Sequence, residues 1–200
     1  MTSAPVRCPG CGRPYAPALF ELGRTIHCTC GRRVTPPDRV AIPAQPDEPR
    51  FIADAMLGRL ARWLRTLGYD TAYDDAIADE DLVRRAFAEH RHILSRDRRL
   101  FEEWHVSGGL LVESDRVLDQ LRQVIEVFDL PPAAHPFVRC RVCNTRLEPA
   151  AAADVRAHVP ERVRVRCGAF LWCPTCARVY WEGSHTERMR SVLDQVFRRE

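Results

Sequence analysis

Four cysteine pairs constrain this 200-residue chain more than any other feature of its sequence. Cys8-Pro-Gly-Cys11 and Cys28-Thr-Cys30 stand near one end, Cys140-Arg-Val-Cys143 and Cys173-Pro-Thr-Cys176 near the other. Two such pairs bring four thiolates onto one tetrahedral ion, and Zn²⁺ in a Cys₄ site has no position left for water. Each set predicts a small zinc ribbon, over 1–35 and 136–183, held together by structural zinc rather than by a large core. Iron–sulfur ligation is the rival chemistry for the same spacing. Cysteines without a signal peptide argue for metal rather than disulfides and for a cytoplasmic protein. Cys167 falls outside the pairs and reads as a small hydrophobe or an idle thiol. His27, beside Cys28, is a substitute ligand at most.

Between the ribbons the pattern changes. Residues 36–49 carry five prolines and read as a semi-rigid linker. From 50 to 132, short apolar runs alternate with helical periodicity. Phe51-Ile-Ala53, Thr71-Ala-Tyr73, His92-Ile-Leu94 and Leu110-Leu-Val112 are expected strands. Leu57, Leu60, Ala61, Leu64 and Leu67 recur at helical spacing up to Gly68, as do Leu82, Val83, Ala86 and Phe87, and then Val117, Leu121, Val124 and Phe128. Strand–helix alternation predicts an α/β domain with a mainly parallel sheet flanked by helices. Residues 184–200 form a last helix, opened by Ser184-His-Thr-Glu187 as a capping box. That box explains His185, whose other reading is a base or an RNA contact.

Each expected strand runs into acid: Asp54, then Asp74-Asp75, then Asp97 within Ser95-Arg96-Asp97, then Glu113 and Asp115. In a parallel sheet these ends share one edge, where α/β folds place their sites. Asp79-Glu80-Asp81 opens a helix near the same rim. Gathered carboxylates repel one another and either take up a proton or bind a cation. Hard oxygen ligands suit Mg²⁺ or Mn²⁺, which keep waters for a phosphate substrate and activate water for phosphodiester hydrolysis. Taken singly, Asp79, Glu80 and Asp115 are better explained as turn formers, caps or dipole partners; their recurrence is the signal.

The net charge of +3 is mild, but all thirty basic residues are arginine. Arginine grips phosphate with a planar fork, although a GC-rich genome also favours it. Arg59, Arg62 and Arg65 recur every three residues around Trp63, and Arg96 stands beside Asp97. Arg162, Arg164 and Arg166 alternate with apolar residues, predicting a strand with one basic face. Trp63, Trp172, Tyr180 and Trp181 are candidate stacking platforms, with solvated arginine rows and core aromatics as the plainer readings. No apolar run approaches the roughly 18–20 residues of a membrane span. A G-x4-G-K-[ST] loop and a G-x-G-x-x-G turn are both missing, which disfavours an NTPase or a dinucleotide enzyme.

Phe51-Ile-Ala-Asp54-Ala-Met-Leu-Gly58-Arg-Leu-Ala-Arg-Trp-Leu-Arg65-Thr-Leu-Gly68-Tyr-Asp70 resembles the opening signature of the Mut-seven C-terminal RNase domain family, a branch of the PIN-like nucleases. Asp79-Glu-Asp-Leu82 and Ile93-Leu-Ser-Arg-Asp97 look like its next motifs. The ribbon at Cys140, Cys143, Cys173 and Cys176, with Val179-Tyr-Trp-Glu-Gly-Ser-His185 after it, looks like its usual end. The resemblance covers about 50–190. It implies a PIN-like Rossmannoid sheet, RNA as substrate and, from the class, an endonuclease. It also implies Asp54 and Asp97 as ligands of catalytic Mg²⁺ or Mn²⁺, Asp79 or Glu80 as a third, and Asp115 as a fourth, with Glu113 nearby. The first ribbon resembles short CPxCG-type modules and lies outside that family core. The competing expectation is a non-catalytic adaptor that binds RNA or protein.

Overall fold

A computed structural model describes residues 4–43, 48–131 and 136–198. Pro46 of the expected linker and Pro132, the expected end of the central domain, lie outside them. The chain forms two compact units, Met1–Gly58 with Ala72–Glu113, and Arg59–Thr71 with Ser114–Glu200.

The first unit begins with two antiparallel hairpins. Strand β1 (Val6–Arg7) pairs with β2 (Pro14–Tyr15), and β3 (Ile26–His27) with β4 (Arg33–Val34). Each turn holds one cysteine pair and closes on a glycine, Gly12 at φ 72° and Gly31 at φ 84°. Only glycine enters that region without steric cost, so Cys-Gly is the turn's chemistry as well as its sequence. Cys8, Phe20, Cys28 and Val34 make a small buried cluster.

The proline stretch is not all linker. Strand β5 (Val40–Ala41) pairs in parallel with β9 (Val106–Ser107), and Ile42 joins the main core. Val40, Ala41 and Ile42 interrupt the prolines and have N–H groups to donate: Val40 to His105 O at 2.9 Å and Ile42 to Ser107 O at 3.1 Å.

The central sheet follows in chain order: β6 (Phe51–Ala53), helix α1 (Gly58–Thr66), β7 (Thr71–Tyr73), α2 (Asp79–Glu89), β8 (His92–Ser95), α3 (Arg98–Glu103) and, after β9, β10 (Gly109–Leu111). Its order is β10-β8-β6-β7, with β10/β8 and β8/β6 parallel. The expected α/β class and parallel sheet flanked by helices are therefore present. Phe51, Ile52, Ala53, Ile93 and Leu94 are wholly buried, as continuous apolar strands must be when both sheet faces are covered. Leu82, Val83 and Ala86 of α2 close over Ile52, Ala72 and Ile93 in one core.

In the second unit, Leu60, Ala61 and Leu64 form the buried stripe of α1. Helix α4 (Val117–Val127) buries Leu121 and Val124 and contacts the terminal helix described below. The second cysteine module is a three-stranded antiparallel sheet ordered β11 (Glu148–Pro149), β12 (Phe170–Cys173), β13 (Arg178–Trp181). Two short helices, α5 (Ala152–His158) and α6 (Glu161–Arg164), lie between its first two strands in sequence. Helix α7 (Ser184–Phe197) buries Met189, Leu193 and Val196.

Two local expectations fail here. Arg162 and Arg164 are in α6, not in a basic-faced strand, and Arg166 lies just past its end. Pro160 at the N-cap and Glu161 in the first turn start a helical turn that overrides the alternation. The Ser184–Glu187 capping box is not made. Gly183 is the N-cap, no side chain caps the helix, and Thr186 Oγ1 donates instead to Trp181 O at 3.2 Å.

Candidate functional site

Asp54 is the first residue beyond β6, its N–H bonded to Leu94 O at 2.9 Å. That bond carries the β6/β8 ladder one step further and turns the carboxylate toward Ser95 at the end of β8. Ser95 is wholly buried, and its Oγ donates to Asp54 Oδ2 at 2.5 Å. Ser95 Oγ in turn accepts from the Asp97 N–H at 2.9 Å. Asp97 then caps α3, Oδ1 accepting from the Arg99 N–H at 2.8 Å. One serine thus links both aspartates, while Asp54 itself is only 7% exposed. The turn after Asp54 is fixed from β7: Tyr73 OH donates to Ala55 O at 2.9 Å. Any Cβ at Gly58 would sit 2.6 Å from that tyrosine ring, which explains a glycine at the start of a helix.

Asp79 opens α2 and is exposed, yet its carboxyl is held above the ordinary 3.8. Its own partial burial is the largest cause, followed by the charges of Asp54, Asp97 and Glu103. Asp79 therefore feels the charges of two aspartates from two other segments, and a cation is the natural relief. They do not form a tight cage. Among the described residues, the groups of three or more ligand atoms within 4.8 Å of one another are the two cysteine sets. A looser carboxylate group suits an ion that keeps several waters, as Mg²⁺ does.

The other acidic candidates are placed differently. Glu80 pairs with Arg84 at 2.6 Å and Arg24 at 3.7 Å. Asp74 Oδ1 accepts from Ala76 N–H at 3.0 Å in a turn. Glu113 and Asp115 are exposed, and Asp115 belongs to the second unit.

Cys8, Cys11, Cys28 and Cys30 form the first four-sulfur group, with Cys8–Cys30 and Cys11–Cys28 both at 3.5 Å. Cys140, Cys143, Cys173 and Cys176 form the second, with Cys140–Cys176 at 3.4 Å and Cys143–Cys173 at 3.3 Å. These spacings approach the roughly 3.8 Å tetrahedral edge that follows from a Zn–S bond near 2.3 Å. Both groups fit zinc ribbons. Within each set the crowded thiols split, some held below the ordinary value and others pushed above it. The Cys30 backbone N–H and the Tyr15 hydroxyl bring Cys28 down to about 5. At Cys30 the Arg32 N–H pulls downward, but the Cys28 and Cys8 side chains and burial together outweigh it and push the thiol up to about 11. In the second group burial would raise Cys140, but hydrogen bonds from Tyr180 and the Cys143 and Val142 N–H groups bring it down to about 6. His27 is exposed and outside the first set. Cys167 is outside both sets, its thiol donating to Glu182 O at 3.1 Å.

Of the arginine row, Arg59 and Arg62 are exposed and Trp63 is half-buried, as Arg96 is exposed beside Asp97. Arg65 is not part of a solvated row: it is 3% exposed. Its Nε donates to Thr71 O at 2.9 Å, and its Nη1 to Arg141 O at 3.1 Å and Val142 O at 2.8 Å. It braces the main chain of the second cysteine turn. Tyr180, expected as a stacking platform, lies 3.0 Å through its hydroxyl from Cys140 Sγ, and Trp172 packs on His158. Ser95 and Glu103 are the site residues that sequence patterns passed over. A polar residue ending an apolar strand was the available sign of Ser95.

The model of the Mut7-C RNAse domain matches residues 49–193. No curated protein and no solved structure matches the chain.

Proposed function

The chain belongs to the Mut7-C RNAse domain family, and from that premise we propose a metal-dependent, PIN-like ribonuclease that cuts RNA internally. The supporting observation is the Asp54–Ser95–Asp97 linkage, together with the charge that Asp54 and Asp97 impose on Asp79. Asp54, Asp97 and Asp79 would hold Mg²⁺ or Mn²⁺. Such an ion, when bound, lowers the pKa of a coordinated water and neutralises charge on the phosphate oxygens.

The chain's own groups do the rest. Ser95 occupies Asp54 Oδ2 and holds that carboxylate in one orientation, with Oδ1 free of hydrogen bonds among the described residues. Asp97 is held through its N–H and through Oδ1, so its second oxygen is the one offered. Glu80, engaged by two arginines, is a poorer third ligand than Asp79. Asp115 is retained as a fourth-ligand candidate on the family resemblance alone. Arg59, Arg62, Trp63 and Arg96 are proposed RNA contacts; Arg65 is left out because its guanidinium serves the fold. The two cysteine sets are proposed to carry structural zinc, since four ligands leave no open position for water. Ligand thiols suit a reducing, cytoplasmic setting, and no helix among the described residues is long and apolar enough to cross a membrane. We further propose a modular division: ribbons at 1–35 and 136–183, a nuclease region at 50–132 and a helix at 184–200, with 36–49 as a link that also lends the Val40–Ala41 strand.

The test uses internally labelled single-stranded and hairpin RNA, with Mn²⁺ added or omitted, beside Asp54→Asn and Asp97→Asn. Cleavage by the parent should fall by roughly 10²–10³ in each variant, with melting temperature little changed. Binding without cleavage in every lane would instead leave an adaptor.

A further inference from the structure

The second unit contains a hollow of about 530 Å³ on the face of the cysteine module. Arg62, Arg141 and Arg178 line it, with His158, Tyr180 and Trp181. Its charge is not neutralised from within. Arginines elsewhere in the chain, among them Arg33, Arg84, Arg91 and Arg122, are paired with carboxylates. Among the described residues none of these three is. Arg141 Nε is buried with no hydrogen-bond partner, a donor that costs free energy until an acceptor reaches it. His185 and Met189 are the neighbours of the Arg141 guanidinium, at 3.4 and 3.5 Å, and neither is an anion.

An aromatic surface completes the hollow. Trp181 is 37% exposed, large for an indole, and leans on Phe170 with ring centroids 6.5 Å apart. His158 is held against Trp172, centroids 5.5 Å apart. The walls are rigid: Arg178 and Trp181 are on β13, and Arg141 sits inside the Cys140–Cys143 turn. Arg65 ties α1 to the carbonyls of Arg141 and Val142, so that Arg62, one helical turn earlier, lines the same hollow.

We propose that this hollow binds a single-stranded stretch of nucleic acid, with phosphate between Arg62, Arg141 and Arg178 and an unstacked base on Trp181. Unpaired guanidiniums beside an exposed aromatic face are what strand binding without strong sequence preference requires. A duplex keeps its bases stacked and has none to offer the tryptophan. That the physiological strand is RNA rests on the ribonuclease reading; the binding chemistry does not.

The test is fluorescence anisotropy on the full chain carrying Asp54→Asn, so that nothing is cut, with a labelled oligouridylate of about twelve nucleotides. Trp181→Ala should weaken binding at least about fivefold and Trp181→Phe much less. Arg62→Ala and Arg178→Ala, both at exposed positions, should each flatten the salt dependence by about 0.7 in log–log slope. Weak binding of an RNA duplex supports the site, and so does binding of the matching single-stranded DNA, which shows that the chemistry is common to both. Unchanged affinity and slope in all the variants overturns the proposal. Equal competition by polyglutamate also overturns it, in favour of an acidic protein partner. The two readings fail separately. Cleavage by the parent that retains Asp54, with unchanged binding in the variants, removes the hollow and leaves the nuclease, whereas variant-sensitive binding with no cleavage by that parent does the reverse.

Discussion

Ser95 shows how much a single hydroxyl can organise. It donates to Asp54 and accepts from the Asp97 N–H, so Ser95→Ala should free both aspartates without emptying a large volume. Loss of a supporting bond of this kind typically costs about 10–100-fold in metal affinity or activity. Mn²⁺ titration and turnover should both show it, and without the ion the melting temperature should fall, because a nearly buried carboxylate loses its donor; an unaffected Mn²⁺ affinity would count against the assigned role. Asp79 makes a second prediction. Its folded pKa is raised above 3.8, so the folded protein holds this proton more tightly than the unfolded chain. Without a divalent ion, its contribution to stability is present at low pH and is lost as pH rises through the raised value. Mn²⁺ must displace that proton, so binding should weaken as pH falls through the same window, and Asp79→Asn should flatten that dependence. Asp54 and Asp97 were readable as acids ending apolar strands. Ser95 was not, because a serine in that position has the ordinary look of a turn. Arg65 misled for a geometric reason: each three-residue step falls about 60° short of a full turn, so the third arginine drifts into the buried stripe.

Helices and strands were legible where apolar spacing was long enough to choose between periods. The runs at 51–53, 92–95 and 109–111, and the stripes of α1, α2, α4 and α7, emerge within a residue or two of expectation. Short segments were decided by neighbours instead. Val40–Ala41 is a strand because Val106–Ser107 offers it an edge, and Arg162–Arg164 is helical because a proline precedes it. The join between α1 and the second cysteine turn also belongs to this scale. Arg65→Ala should strand three main-chain acceptors and destabilise the chain by about 2–4 kcal/mol. Arg65→Lys should recover little, since one ammonium cannot reproduce the fork. Urea titration checks both, and a near-neutral Arg65→Ala would mean that water replaces the guanidinium.

Across the whole molecule, each compact unit carries its own four-cysteine group. Zinc analysis should find two ions per chain, and Cys28→Ser or Cys173→Ser should each remove one. Cys28→Ser should loosen α3 and β9 in hydrogen exchange, because the first ribbon is joined to them: Thr25 N–H donates to Glu103 O and His105 N–H to Gly23 O, both at 2.7 Å. Gly23 fits there only without a side chain, since a Cβ would lie 2.6 Å from His105 O. The cysteine set and the parallel sheet were legible in the sequence, but not this joint, which is made by main-chain atoms that any residue supplies. It has a practical consequence. The family match starts at residue 49, yet a fragment trimmed to that border would bare the β9 edge and uncover Trp104 and Val106, which are 5% and 2% exposed in the full chain. Such a piece should clump and lose its cooperative melt, so the smallest workable fragment reaches back through the first ribbon.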